Sequence, residues 1–292
     1  SEHVVAQILA LICAEQNQRP IEKDSNHMTL RESTLSGDEL SAWREYGYVR
    51  LGKVAPITMI QALCKRIDEI MLGKVTYPNM LMQLCPSTVD DPEKTRQTKT
   101  FKGSTLKYRK IQDLEQDPLF LSYIQHPLFQ DITCKLIGNR VSAYRSMFMN
   151  KPADHGTLLN WHQDGTGSWG LSISPTVTIW TALDATSLIN GCLQIIPASH
   201  KTMINTDHDQ LYPEQIPIHA PKEKHLHLEL EQGEVVLLHN WTLHRSEPNE
   251  TDRPRRAFSV CYIDSATVHR KSGERWPQVF PEYIPIKTPA DS

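Results

Sequence analysis

A mainly β fold with flanking helices, built as a sandwich or barrel, is what this sequence predicts, and three observations predict it. From Arg140 onward, short apolar segments alternate with Gly, Pro and Asn turn signals, as in an antiparallel core. Before Arg140 the apolar spacing is helical. No internal repeat or low-complexity tract divides the chain of 292 residues, a length that one β core with helical additions can fill. The expected organisation is an N-terminal helix and linker over 1–34, then a single domain over 35–292 with its β core at about 140–265.

Taken in order, Val4 to Glu15 has helical periodicity, and the polar stretch Gln16 to Glu32 reads as a linker. In Leu35-Ser36-Gly37-Asp38-Glu39 a polar cap residue precedes acidic residues in a first turn, so a helix is expected to run to Tyr46. Gly47 to Leu51 reads as a strand. Ile60, Leu63, Ile67 and Met71 recur at helical spacing and predict a packed helix over Ile57–Met71. Tyr77 to Gly103 is irregular and is expected to be a mobile segment near a site mouth; Pro118 to Ile137 is again helical. The strand candidates are Val141–Met149, Leu159–Asp164, Thr176–Leu183, Leu193–Ile196, Leu226–Leu230, Glu234–His239 and Arg256–Ile263. The helices are expected to buttress the outer face of the larger sheet. Lys201 to Glu223 is a long polar insertion of the kind that forms lids or disordered segments.

Composition narrows the function classes. Hydrophobic content of 39% with 22% charged residues is ordinary for a soluble globular protein. A net charge of −3 offers no electrostatic attraction to nucleic acid or to an anionic membrane, and no apolar run is long enough to span a bilayer. Cys13, Cys64, Cys85, Cys134, Cys192 and Cys261 are scattered, with no CxxC pair, which suits reduced thiols in a cytoplasmic protein. Val4 to Cys13 lacks the basic leader of a signal sequence, and Ala290-Asp291-Ser292 is not a peroxisomal tripeptide. No nucleic-acid or membrane partner is therefore expected, on a monomer or homodimer.

The chemistry centres on His162-Gln163-Asp164, followed about eighty residues later by His244 and then Arg255. Two imidazoles and a carboxylate are the ligand set that leaves open positions on a non-haem Fe(II), though Mn(II), Co(II) and Ni(II) accept the same donors. On a strand, residues i and i+2 share a face, so His162 and Asp164 can grip one metal while Gln163 faces away. The run Val235 to His244 supplies the third ligand from an adjacent strand. Arg255 is a cation able to take a carboxylate in two parallel bonds and to keep its charge when partly buried. An Fe(II) that oxidises with 2-oxoglutarate needs such an anchor for the distal carboxylate. Arg256 points to the opposite strand face, and parity alone does not choose between the two arginines.

Between Lys110 and Tyr262 the sequence resembles the phytanoyl-CoA dioxygenase family of Fe(II)/2-oxoglutarate oxygenases. The matching pieces, in order, are Lys110-Ile111-Gln112-Asp113, Asn150-Lys151-Pro152, Trp161-His162-Gln163-Asp164 and Trp180-Thr181-Ala182-Leu183-Asp184. Asn190-Gly191-Cys192-Leu193, Pro197-Ala198-Ser199-His200, His244-Arg245-Ser246 and Arg255-Arg256-Ala257 complete them. The resemblance implies a double-stranded β-helix (jelly-roll, cupin-like) core buttressed by N-terminal helices. It implies His162, Asp164 and His244 as metal ligands, Arg255 as the 2-oxoglutarate anchor, and Lys110, Trp180 and Ser246 as further co-substrate contacts. It also implies Fe(II) as cofactor, with 2-oxoglutarate and O2 as co-substrates. Related aliphatic halogenases carry Gly or Ala where Asp164 stands, so hydroxylation, desaturation or ring closure is implied here. The family spans acyl-CoA thioesters, amino-acid-derived solutes and natural products, and does not choose a substrate.

Arg145 lies in the otherwise apolar Tyr144-Arg145-Ser146-Met147-Phe148, so it meets either a structural carboxylate or a polar cavity. Arg145, Asn150 and Trp169 are the candidate substrate contacts. His155, His200, His225, His227 and His239 read as structural or surface residues. Two rival readings are a metal-dependent cupin-type enzyme that does not use 2-oxoglutarate and a non-catalytic jelly-roll binding module.

Overall fold

In the computed structural model, which describes residues 30–154 and 156–280, the helical layer begins with a reciprocal cap. The Glu39 N–H donates to Ser36 Oγ, and the Glu39 carboxylate accepts from the Ser36 N–H. This cap opens α1 (Gly37–Tyr46), which ends at Gly47 in the left-handed conformation (φ 78°). The long amphipathic pattern becomes α2 (Ile57–Met71). The helical stretch Pro118–Ile137 forms two helices, α3 (Pro118–Ile124) and α4 (Pro127–Leu136). Pro127 forces the preceding His126 out of helical conformation (ψ 132°) and starts a new helix. The segment Val4–Glu15, the part of the Gln16–Glu32 stretch up to Thr29, and His155 lie outside the described residues.

Eleven strands follow among the described residues, in two antiparallel sheets. In chain order they are β1 (Tyr48–Lys53), β2 (Leu81–Leu84), β3 (Tyr108–Gln112), β4 (Val141–Lys151), β5 (Leu159–His162), β6 (Val177–Ala182), β7 (Leu193–Ile195), β8 (Leu226–Leu228), β9 (Glu234–His239), β10 (His244–Ser246) and β11 (Arg255–Asp264). The larger sheet runs β1-β9-β6-β11-β4-β3-β2, and the smaller runs β5-β10-β7-β8. The pair is a jelly-roll. Alternate residues explain how one strand serves two environments. On β11, Phe258, Val260 and Tyr262 face outward and share one buried cluster with Ile60, Leu63 and Ile67 of α2 and with Phe120, Tyr123 and Phe129 of α3 and α4. Phe258 is fully buried and meets Phe120 edge-on at 4.9 Å. Each such side chain contributes about 1.5–3 kcal/mol by leaving water. The helices thus buttress the outer face of the larger sheet.

Between the sheets, Trp180, Ile195, Val236, Leu238 and Ala257 fill part of the interior, and polar side chains line the rest. Three elements differ from the sequence reading. The run Val235–His244 is not one strand: β9 ends at His239, the chain turns through Asn240–Leu243, and His244 opens β10 in the other sheet. Crossing between sheets requires that turn, which the Thr242 N–H ties to the His239 carbonyl and Thr242 Oγ1 ties to the Gly47 carbonyl. The irregular Tyr77–Gly103 region contains β2, and β3 follows it, together forming the edge of the larger sheet beside β4. The Lys201–Glu223 insertion is seated on the small sheet, with Ile204, Leu211, Ile216 and Ala220 packed against Trp161, Ile196 and Leu243. No helix among the described residues is long and apolar enough to cross a membrane. Cys64, Cys85, Cys134, Cys192 and Cys261 are buried free thiols.

Candidate functional site

Strand pairing brings the separated donors together. His162 at the end of β5 lies directly opposite His244 at the start of β10, and their rings stand 4.0 Å apart. Asp164 sits just past the strand, where its N–H donates to the Asn240 carbonyl and turns the carboxylate back toward the histidines. Its oxygens lie 3.9 Å from His162 Nε2 and 4.0 Å from His244 Nε2. One ligand atom from each residue falls within 4.8 Å of the others, close enough for all three to hold one ion. Both rings are oriented from behind: His162 Nδ1 bonds the Asn160 carbonyl at 2.8 Å and His244 Nδ1 the Thr242 carbonyl at 2.9 Å. A carbonyl accepts only from an N–H, so each ring is fixed with Nε2 bare and aimed inward, as metal-ligating histidines are. Burial, then His244, pulls the His162 imidazole down to about 4, which keeps it neutral. The donor set fits a divalent metal of the borderline kind.

Gln163 faces away and is buried. Its amide donates to the Thr202 and Trp241 carbonyls (2.9 and 2.6 Å), while its oxygen accepts from the Ile204 N–H. The middle residue of the motif therefore clamps the insertion and the β9–β10 turn to the metal strand.

The donors open onto a cavity of about 280 Å³. Lys110, Arg145, Asn150, Trp180, Ser246 and Arg255 all line it. Arg255 and Arg256 are separated as strand parity requires. Arg256 faces outward, pairing with Asp184 (2.8 Å) and Asp68 of α2 (3.0 Å). Arg255 faces inward, is 4% exposed, and makes neither hydrogen bond nor ion pair through its side chain among the described residues. Burial lowers it to about 10. A buried guanidinium without an anion is costly, and a ligand carboxylate would relieve that cost. The Trp180 ring centroid is 6.0 Å from its Cζ. Asn150 donates to the Leu106 and Tyr108 carbonyls and fixes the entry to β3. Trp169 does not line the cavity: it lies directly behind Arg145, 3.8 Å from the guanidinium carbon.

Sequence reasoning did not single out Lys151, Arg109 or Asp209 as individual site residues, and all three also line the cavity. Lys151 is paired in register with Arg255, 6% exposed, and pulled down to about 7 by burial, then by Arg255 and Arg109. It stood inside the Asn150-Lys151-Pro152 motif, so a charge on an apolar strand was the available signal. Asp209 comes from the polar insertion, where nothing in the local pattern marks it. Of the histidines set aside, His200 Nε2 bonds the Arg44 carbonyl at 3.2 Å, and His239 is ringed by Trp43, His200 and Trp241 while also lining the cavity.

Comparison with known proteins agrees with this arrangement. The chain is 27% identical over 252 residues to a probable phytanoyl-CoA dioxygenase of Caenorhabditis elegans, covering 81% of this chain and 78% of that protein. It is 26% identical over 255 residues to the peroxisomal phytanoyl-CoA dioxygenase of Homo sapiens, covering 82% and 72%. Among solved structures, EctD from S. alaskensis with 2-oxoglutarate and 5-hydroxyectoine superposes with a TM-score of 0.67 at 18% identity, covering 89% of each chain. SnoK, a non-haem α-ketoglutarate-dependent carbocyclase from nogalamycin biosynthesis, gives 0.61 at 22% identity, covering 87% and 97%. Those structures share the fold. The sequence profile for phytanoyl-CoA dioxygenase matches residues 43–257, which takes in every donor and cavity residue described above, and the chain therefore belongs to that family of Fe(II)/2-oxoglutarate-dependent dioxygenases.

Proposed function

We propose that the chain hydroxylates, desaturates or cyclises at an unactivated C–H bond of a small molecule, with decarboxylation of 2-oxoglutarate to succinate. The observation that carries this reading is the buried, anion-less Arg255 in the same cavity as three inward-facing metal donors. His162, Asp164 and His244 hold Fe(II), which when bound supplies the activation of O2. Arg255 takes the distal carboxylate of 2-oxoglutarate in a bidentate pair. Lys151 stands beside it in register, Lys110 adds a further amine to the same cavity, and the Trp180 face and Ser246 wall the pocket. The chain's own work is orientation: carbonyls behind both imidazoles set the metal donors, and Gln163, between His162 and Asp164, locks the segment that carries them. Names among the similar proteins range over phytanoyl-CoA, 5-hydroxyectoine and nogalamycin biosynthesis, so the shared fold does not select the substrate.

Aerobic incubation with Fe(II) and 2-oxoglutarate, with succinate as the readout, tests this proposal. Slow succinate formation is expected even without a primary substrate, abolished in Asp164→Ala. Metal binding with no succinate under any condition would instead favour a cupin-type enzyme that does not use 2-oxoglutarate.

A further inference from the structure

The cavity holds more positive charge than a metal and 2-oxoglutarate account for. Arg109, Lys110, Arg145, Lys151 and Arg255 line it against only two carboxylates, Asp164 and Asp209. None of the five basic side chains forms an ion pair among the described residues. A divalent metal and a doubly charged 2-oxoglutarate cancel, so the excess persists with both in place.

Arg145 sits in the most elaborated setting of the five. In the β4–β11 pair, Cys261 lies opposite Arg145 and Tyr262 opposite Ala143, which leaves Tyr144 as the extra residue of a bulge. A bulge re-aims a side chain that would otherwise alternate away. Tyr144 accordingly packs on the same side as Arg145, its ring centroid 5.5 Å from that of Trp169. The Arg145 guanidinium lies over both rings, 3.8 Å from the Trp169 centroid and 4.9 Å from that of Tyr144. Its one hydrogen bond runs from Nη2 to Tyr144 Oη at 3.3 Å. A guanidinium stacked on a ring keeps its in-plane N–H fork free for an oxyanion.

Asp209 does not neutralise it. That carboxylate accepts from Thr166 Oγ1, from Ser168 Oγ (3.1 Å) and from Trp169 Nε1 (3.1 Å). Its hydrogen bonds hold the Trp169 ring under Arg145. Along β4, Arg145 pairs with Cys261 and Lys151 pairs with Arg255, so the two guanidiniums start six residues apart, roughly 20 Å of extended strand. They enter the cavity from opposite ends.

We infer that Arg145, stacked on Trp169, is the docking point for an oxyanion group of the primary substrate, a carboxylate or a phosphate, and that the enzyme selects anionic small molecules. This rests on the Fe(II)/2-oxoglutarate reading, in which Arg255 serves the co-substrate.

The test uses anaerobic protein loaded with Fe(II) and 2-oxoglutarate, with the visible band of that complex as the check on loading. Alkanoates from butyrate to octanoate, the matching alkyl phosphates and the neutral alkanamides are then compared by saturation-transfer NMR and thermal shift. Binding confined to carboxylates or phosphates is expected, weakened roughly tenfold to hundredfold in Arg145→Met, which keeps a side chain on Trp169. Arg145→Lys should recover part of the affinity, and the band should be unchanged in both variants. Which anion binds identifies carboxylate or phosphate. Equal binding of amides, no binding of either anion, or anion binding that survives in Arg145→Met would each overturn the inference. Loss of the band in Arg145→Met would also overturn it, by assigning Arg145 to the co-substrate. Absence of the band in the parent would fail the underlying reading instead.

Discussion

Arg255 and Arg256 are neighbours in sequence with opposite surroundings, and substitutions should separate them. Arg256 is held by Asp184 and Asp68, so Arg256→Met leaves two carboxylates without their cation on a largely buried face. A loss of about 2–4 kcal/mol in denaturant unfolding is expected, with 2-oxoglutarate affinity unchanged. Arg255→Met removes a buried charge that has no partner in the free protein, so the same experiment should show no loss of stability. Strand parity left the choice between them open, and only the family resemblance favoured Arg255, because a one-residue register slip exchanges the faces and register is a property of the pairing, not of the strand alone. Lys151 gives a pH signature. Its folded value of about 7 lies well below its ordinary value of 10.5, so between those limits the unfolded chain binds the extra proton. Stability should therefore rise with pH through that window. Lys151→Met should flatten the rise, as measured by unfolding at pH 6.5 and 9. Burial of Lys151 could not be read from a motif, because the motif shows the charge and not the water it has lost.

At the scale of elements, most strands after Arg140 were legible because apolar residues recur in them between turn signals, and the two-residue spacing of His162 and Asp164 survives in the folded site. The end of β9 at His239 coincides with the strand candidate Glu234–His239, but that the chain then crosses to the other sheet was not legible, since apolarity records burial and not which sheet does the burying. The edge strand β2 and its neighbour β3 are short and carry Gln, Lys and Arg, so their pattern does not rise above that of a loop. The Asn190-Gly191 turn shows a different kind of legibility: the motif was visible, and the structure supplies its cause. Gly191 has φ 76°, and a Cβ there would sit 2.2 Å from the Glu247 carbonyl oxygen and 2.9 Å from Lys151 Cδ. Gly191→Ala should cost about 2 kcal/mol or more, through both backbone strain and the displaced segment after β10. Calorimetry compared with a surface Gly273→Ala variant, which meets nothing within 4 Å but shares a positive φ of 73°, separates the clash from the strain.

Across the whole molecule, one sheet has a helix-covered outer face and an inner face that carries chemistry, and β11 contributes to both. Phe258 faces the helices while Arg255 and Ser259 line the cavity. Phe258→Ala should cost about 3–5 kcal/mol because α2, α3 and α4 cannot collapse onto the vacancy without moving the sheet. Its urea midpoint should fall accordingly. The central claim is that the three donors and Arg255 form one site for Fe(II) and 2-oxoglutarate. The most direct measurement is an anaerobic optical titration of the Fe(II)-loaded protein with 2-oxoglutarate, run beside Arg255→Ala. A visible charge-transfer band that saturates in the parent, and needs roughly a hundredfold more 2-oxoglutarate in the variant, is the predicted result. Bound iron with no band, or a band indifferent to Arg255, would contradict it.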